Sequence, residues 1–177
     1  MYPNKIINNI WLGGVIFDNN DGDKFIKNNN INCIVSVMKE IPDFVKSLYD
    51  TYSHYQIKID DVEVDIFPYL EDFLEYMDEQ MKDNKNIYIH CQSGQSRSVA
   101  FCIAYLMYKE KIYDVDHILN NIKKQRNCIY PSSTFLFSLE IFAKWLKLNK
   151  KYDLLCFRRE YIENMKNFIN YTKYWNM

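Results

Sequence analysis

The segment Ile87-Tyr88-Ile89-His90-Cys91-Gln92-Ser93-Gly94-Gln95-Ser96-Arg97-Ser98 decides the fold of this chain. Residues 87–90 are short, apolar and β-branched, and read as a buried strand. From 98 to 109 the run SVAFCIAYLMYK reads as a largely buried helix. A strand that enters a helix through a short loop is the joint of an α/β unit, and it puts the loop at a strand's carboxyl end, where sites on such sheets lie. Elsewhere in the chain, residues 33–38 (CIVSVM) form a second buried strand, 55–59 alternate as a third, and 6–12 form a short strand stopped by Gly13-Gly14. Helical spacing predicts helices over 21–30, 68–82, 115–126 and 132–148. Strands alternating with helices predict an α/β domain with a central, mainly parallel twisted sheet flanked by helices.

The loop itself carries chemistry. A tight turn into a helix N-terminus directs successive backbone N–H groups at one point, so the amides of Gln92, Ser93, Gly94, Gln95 and Ser96 form an anion cradle. Gly94 supplies the backbone freedom such a turn needs. Arg97, six residues after Cys91, can fold back and grip two oxygens of a phosphate. Cys91 sits at the base of this positive field, which favours a thiolate, the form that attacks phosphorus in line. Ser98 can donate a hydrogen bond to that sulfur. The spacing HCxxGxxR would arise in about 4 of 100,000 shuffled chains of this composition. The bland alternative is a core cysteine beside a surface arginine.

Composition removes several other classes. The 177 residues are 48% hydrophobic, enough for a core and too many for a disordered chain. With 22 basic and 23 acidic residues the net charge is −1, which offers no basic field for nucleic acid. Only four of the 22 are Arg, so each Arg invites a question. Neither a signal peptide nor a run long enough to span a membrane is evident, and no membrane partner is expected. Five cysteines (33, 91, 102, 128 and 156) without CxxC spacing argue against a disulfide framework or a zinc site. They favour an intracellular, reducing location, cytoplasmic or nuclear.

The motif His90-Cys91-Gln92-Ser93-Gly94-Gln95-Ser96-Arg97-Ser98 resembles the signature of the small dual-specificity phosphatases of the cysteine-dependent protein tyrosine phosphatase superfamily. Trp11-Leu12-Gly13-Gly14 is similar to that family's first-strand motif, Ala104–Met107 to its helix after the signature, and Pro131 with Phe135 to a later element, so the likeness runs over residues 6–148. The resemblance implies a protein tyrosine phosphatase-like fold and hydrolysis of phosphotyrosine and phosphoserine/threonine through a cysteinyl-phosphate. Cys91 is then the nucleophile and Arg97 the phosphate grip, while His90 orients the loop. No metal or other cofactor is implied, because loop amides and Arg97 supply the charge stabilisation. The family's general acid lies about thirty residues before the cysteine. Counting back from Tyr69 places it on Asp60, with Asp61 the neighbouring alternative, and Asp65 matches a helix-side Asp of the same segment. Arg126 falls where some relatives bind a second anion, the alternative being a solvated cation at a helix end. Ser132 stands where the family has Asn, which puts a buttress of the phosphate loop in question. Two other functions remain: the same fold acting on a phosphoinositide or RNA 5′-phosphate, and a weakly active phosphate-binding adaptor. The uncharged Gln92, Ser93, Gln95 and Ser96 favour a phosphoprotein substrate over the lipid.

Outside the loop, His54 and His117 read as surface or packing residues, and Cys33 and Cys102 as core, the sharper option for either cysteine being a reversible disulfide to Cys91. Residues 1–150 are read as the catalytic domain and 151–177 as an amphipathic helical extension. Leu154, Leu155, Tyr161, Ile162, Met165, Phe168 and Ile169 make one apolar stripe there, with Arg158-Arg159 inside the helix and Tyr171, Tyr174 and Trp175 beyond. The stripe is buried either on the chain's own domain or in a homodimer.

Overall fold

The joint at Cys91 lies at the centre of the sheet. In the computed structural model, which describes residues 2–61, 65–149, 151 and 153–175, strand β5 (Asn86–Cys91) is the middle of five. It pairs in parallel with β2 (Ile10–Gly14) on one side and β3 (Ile31–Val37) on the other; β4 (Ser53–Ile57) extends the sheet beyond β3, and β1 (Asn4–Ile7) closes the opposite edge antiparallel to β2. The mainly parallel α/β sheet is as expected. A central parallel strand is covered on both faces, which is why Ile87–Cys91 is apolar at nearly every position. Its alternate residues divide between two cores. Ile87, Ile89 and Cys91 belong to the larger one, and Tyr88 to the smaller, with Trp11, Phe25, Ile34 and Tyr49.

The larger face is covered by α3 (Phe67–Lys82), α4 (Arg97–Glu110), α5 (Val115–Gln125) and α6 (Ser133–Lys147), with α4 buried along its length from Ser98 to Met107. The smaller face carries α1 (Asn19–Asn28) and α2 (Asp43–Tyr49). Two local readings are corrected. The strand expected over 6–12 is a hairpin, β1 turning at Asn8-Asn9 into β2, and Gly13-Gly14 continue β2 instead of ending it. Helix α2 was not anticipated. It is two turns long, and its burial rests on Val45 and Tyr49 against β3 neighbours.

The tail forms α7 (Leu154–Trp175), started by Asp153, whose carboxylate accepts the Cys156 N–H at 2.8 Å. Leu154 is fully buried, and Phe157, Tyr161 and Ile162 pack on the main core. Arg158 reaches α3, pairing with Asp65 at 2.8 Å and lying over the Phe67 ring. The side chains of Phe168, Ile169, Tyr171, Tyr174 and Trp175 lie outside the described residues. Among the described residues no helix is long and apolar enough to cross a membrane.

Candidate active site

The Cys91 side chain lies at the bottom of the loop between β5 and α4, on the α4 side of the sheet and 1% exposed. Its sulfur accepts the Gly94 N–H at 3.3 Å and the Ser98 hydroxyl at 3.2 Å. The loop doubles back tightly enough for an amide three residues on to reach the sulfur because Gly94 has φ +68. A Cβ there would sit 2.1 Å from the Gly13 carbonyl carbon, so the cradle rests directly on the β2 backbone.

A loop whose N–H groups point inward must point its carbonyls outward, and each carbonyl needs a donor. Those donors come from distant parts of the chain. The Val15 N–H donates to Cys91 O at 2.8 Å and lies 3.2 Å from Gln92 O; the Tyr130 N–H donates to Gln95 O at 2.8 Å. Arg126 donates to Gly94 O at 2.9 Å and Ser93 O at 3.3 Å, and also to Tyr2 O at 3.0 Å and Asn4 Oδ1 at 2.8 Å. This overturns the expected second anion site: Arg126 is 2% exposed and its guanidinium is directed at carbonyls behind the cradle. Ser132 keeps a link to the loop through its backbone, its N–H donating to Ser96 Oγ at 3.3 Å, while its own hydroxyl caps α6 by accepting the Phe135 N–H.

Arg97 begins α4 and leans across the loop mouth, its Nη1 donating to Ile59 O at 3.4 Å and its Nε lying 3.7 Å from the Asp61 carboxylate. Asp60 instead faces Lys39 at 3.5 Å. The structure thus brings Asp61 to Arg97, whereas Asp60 stands beside it on the same exposed turn. Asp65 has a separate place: one oxygen accepts the Phe67 N–H at 3.1 Å at the start of α3, the other takes Arg158. Beside Gln92 a cleft of about 650 Å³ is lined by Lys39, Glu40, Asp43, Lys46 and Lys58.

His90 lies on the opposite face of β5 from Cys91, fully buried, and burial pushes its imidazole down to about 3, so the ring is neutral. Sequence reasoning missed its surroundings. Ser36 Oγ lies 2.7 Å from His90 Nε2 and 2.8 Å from His54 Nε2, so His54 is half-buried and engaged instead of free on the surface. A serine inside the apolar run CIVSVM was the available signal, since a polar group buried there must find a partner. A disulfide from Cys33 to Cys91 is excluded by register: Cys33 pairs with Ile87, four residues short of Cys91, about 13 Å along the strand direction. Cys102 lies one turn past Ser98 in α4, and burial pushes its thiol up to about 12, which opposes the thiolate that disulfide exchange requires.

The catalytic domain of the dual specificity phosphatases matches residues 15–145. The chain belongs to this family. It is accordingly a cysteine-based phosphatase of the protein tyrosine and dual-specificity class. Similar proteins include the phosphatase Slingshot of Drosophila melanogaster, 28% identical over 154 residues that make 86% of this chain but 14% of Slingshot. A protein of Invertebrate iridescent virus 6 bearing the name tyrosine phosphatase 123R is 31% identical across 86% of this chain and 99% of its own. Among solved structures, the phosphatase domain of Yvh1 from Chaetomium thermophilum is 25% identical with a TM-score of 0.70, covering 86% of this phosphatase and 99% of that chain. The PTP-2 phosphatase of Cydia pomonella shares the fold with a TM-score of 0.72 at 24% identity, covering 78% of this chain and 88% of its own.

Proposed function

We propose that this phosphatase hydrolyses phosphotyrosine and phosphoserine/threonine in proteins through a cysteinyl-phosphate. The observation that carries the reading is the Cys91 sulfur at the base of an amide-lined loop, already receiving the Gly94 N–H and the Ser98 hydroxyl, with Arg97 at the mouth. In the first step the thiolate attacks phosphorus and the bond to the leaving oxygen breaks as Asp60 gives that oxygen its proton. Arg97 and the amides of Gln92, Ser93, Gly94, Gln95 and Ser96 hold the equatorial oxygens. In the second step water attacks phosphorus and returns a proton to Asp60, and the sulfur leaves as a thiolate stabilised by Ser98.

Asp60 is favoured because Asp61 pairs with the guanidinium that must hold phosphate, whereas the partner of Asp60 is Lys39, an exposed side chain that is not part of the phosphate loop. The mixed charges of the cleft beside Gln92 suit a peptide better than a polyanionic headgroup. Leu154, Phe157, Tyr161 and Ile162 are committed to the chain's own core, which favours the extension as an intramolecular buttress over a homodimer.

The test is hydrolysis of an aryl phosphate across about pH 5–8 in EDTA, followed by phosphotyrosyl and phosphothreonyl peptides, a phosphoinositide and a 5′-triphosphorylated RNA. Turnover of the peptides, lost in Cys91→Ser and reduced about 10²-fold in Asp60→Asn, is the expected result. Loss in Asp61→Asn with Asp60→Asn active moves the acid by one residue. A folded wild type that turns over none of these substrates makes the chain a phosphate-binding adaptor.

A further inference from the structure

Behind the nucleophile, the His90 ring is enclosed by Tyr88, stacked at 5.0 Å between centroids, and by Tyr49, edge-on at 5.4 Å. Tyr49 also meets His54 edge-on at 5.3 Å, so one aromatic ring holds both imidazoles in place. Both nitrogens of His90 have partners: Nδ1 lies 3.4 Å from the Cys91 carbonyl oxygen and Nε2 faces Ser36 Oγ, which in turn faces His54 Nε2.

The position of every proton in this chain of contacts follows by elimination. A carbonyl oxygen only accepts, so His90 Nδ1 carries the proton. A neutral imidazole has one N–H, so Nε2 accepts, and the single hydroxyl proton of Ser36 must point to it. With that proton committed, Ser36 Oγ can only accept from His54, which donates through Nε2–H. Hydrogen bonds aligned in one sense polarise and strengthen one another. Their common endpoint is the Cys91 carbonyl, held outward together with the Val15 N–H at 2.8 Å. Across a trans peptide the next N–H points the opposite way. Holding Cys91 O outward therefore turns the Gln92 N–H into the cradle.

We propose that Ser36 and His54 are positioning residues for the nucleophile, a directed relay that starts at a half-buried histidine on β4 and fixes the first amide of the phosphate cradle through His90. The inference rests on the phosphatase reading of the Cys91 loop. Asp50, Lys46 and Tyr49 face His54, and Tyr49 and Tyr88 face His90. Tyr49 touches both imidazoles only through ring contacts, whereas the hydrogen-bonded route from His54 to His90 runs through Ser36, so removing the His54 donor releases the Ser36 hydroxyl and relaxes the cradle.

The experiment uses the full chain and follows iodoacetamide labelling of the Cys91 peptide by mass spectrometry as a function of pH, in parallel with kcat/KM on an aryl phosphate. For His54→Leu and Ser36→Ala the labelling midpoint rises by about half to one pH unit, the shift expected from losing one hydrogen bond behind the thiolate. Their kcat/KM below that midpoint falls about 3- to 10-fold. His54→Gln, whose amide can still donate to Ser36, stays within about 0.3 pH unit of wild type. His54 is half-buried, so His54→Leu keeps the comparison open even where the buried Ser36→Ala unfolds. A depressed wild-type midpoint that is the same in His54→Leu overturns the relay alone, as does an equal shift in His54→Gln and His54→Leu. A wild-type midpoint near that of a free thiol, about 8.5, overturns the phosphatase reading together with it.

Discussion

Replacing Arg126 by Met separates two incompatible roles for that side chain. The guanidinium donates to Gly94 O and Ser93 O of the phosphate loop and to Tyr2 O and Asn4 Oδ1 of the N-terminal strand region. Methionine fills comparable volume but donates nothing. Tyr2 and Asn4 are near the surface and can rehydrate, whereas the bond to Gly94 O is buried behind the cradle. Each stranded carbonyl costs about 1–3 kcal/mol, partly offset because a buried guanidinium no longer has to be desolvated. A net loss of about 3 kcal/mol is therefore expected, which for a chain of this size lowers Tm by about 6–12 °C. The freed carbonyls can turn inward against the phosphate, and a displacement of about 1 Å at the reacting atoms costs about 10²-fold in rate. The assay is thermal unfolding beside kcat/KM for singly and doubly phosphorylated peptides. A variant with unchanged Tm and selective loss of affinity for the doubly phosphorylated peptide would refute the buttress and restore an anion-binding Arg126.

Three further outcomes follow from the geometry. Gly94→Ala places a methyl 2.1 Å from the Gly13 carbonyl carbon at a φ of +68, so it loses aryl phosphatase activity and vanadate binding, while Gly22→Ala, buried in α1 where the added methyl meets the movable end of the Leu48 side chain, retains both. His90 titrates near 3 when folded and near 6.5 when unfolded. The unfolded chain therefore takes up the proton first, and stability that is complete above about pH 6.5 is lost as pH falls toward 3, by up to about 1.4 kcal/mol per unit. Urea unfolding at pH 7 and pH 5 should show this slope in wild type and a shallower one in His90→Asn. Arg158→Met removes a partly exposed pair with Asp65, so it costs about 1 kcal/mol or less and shows as earlier proteolysis of α7 under native conditions.

The phosphate loop was legible because its chemistry is local. The seven residues from Cys91 to Arg97 carry the sulfur, the Gly94 turn and the start of α4 in one local stretch, which distant donors then hold in place. The same holds for the long helices, whose apolar spacing is written continuously. Besides the surroundings of His90, further features resisted. The turn at Asn8-Asn9 hid inside an otherwise apolar stretch, although paired Asn residues are turn formers. Helix α2 is only seven residues, too short for periodicity to stand out, although Val45, Leu48 and Tyr49 have helical spacing. The role of Arg126 depends on carbonyls about thirty and more than a hundred residues away, a relation that no local pattern encodes.

That division follows from the physics of an anion cradle. Its inward face is a property of one peptide segment, but turning N–H groups toward an anion forces the same segment to expose its carbonyls on the other side. Carbonyls turned toward the protein interior cannot go to water, so the rest of the fold must supply donors: a strand end at Val15, a backbone amide at Tyr130, the guanidinium of Arg126 and the imidazole of His90. The Tyr88 hydroxyl, which donates to Gly14 O, fixes the strand on which the cradle rests. Val15, Tyr130 and Arg126 lie outside the signature, so each can vary while the signature stays unchanged. An intact Cys91-to-Arg97 motif therefore specifies which chemistry is available, and the outward face specifies how rigidly the site is held for it. Substitutions at Ser36, His54 or Arg126 act on that rigidity with every signature residue in place.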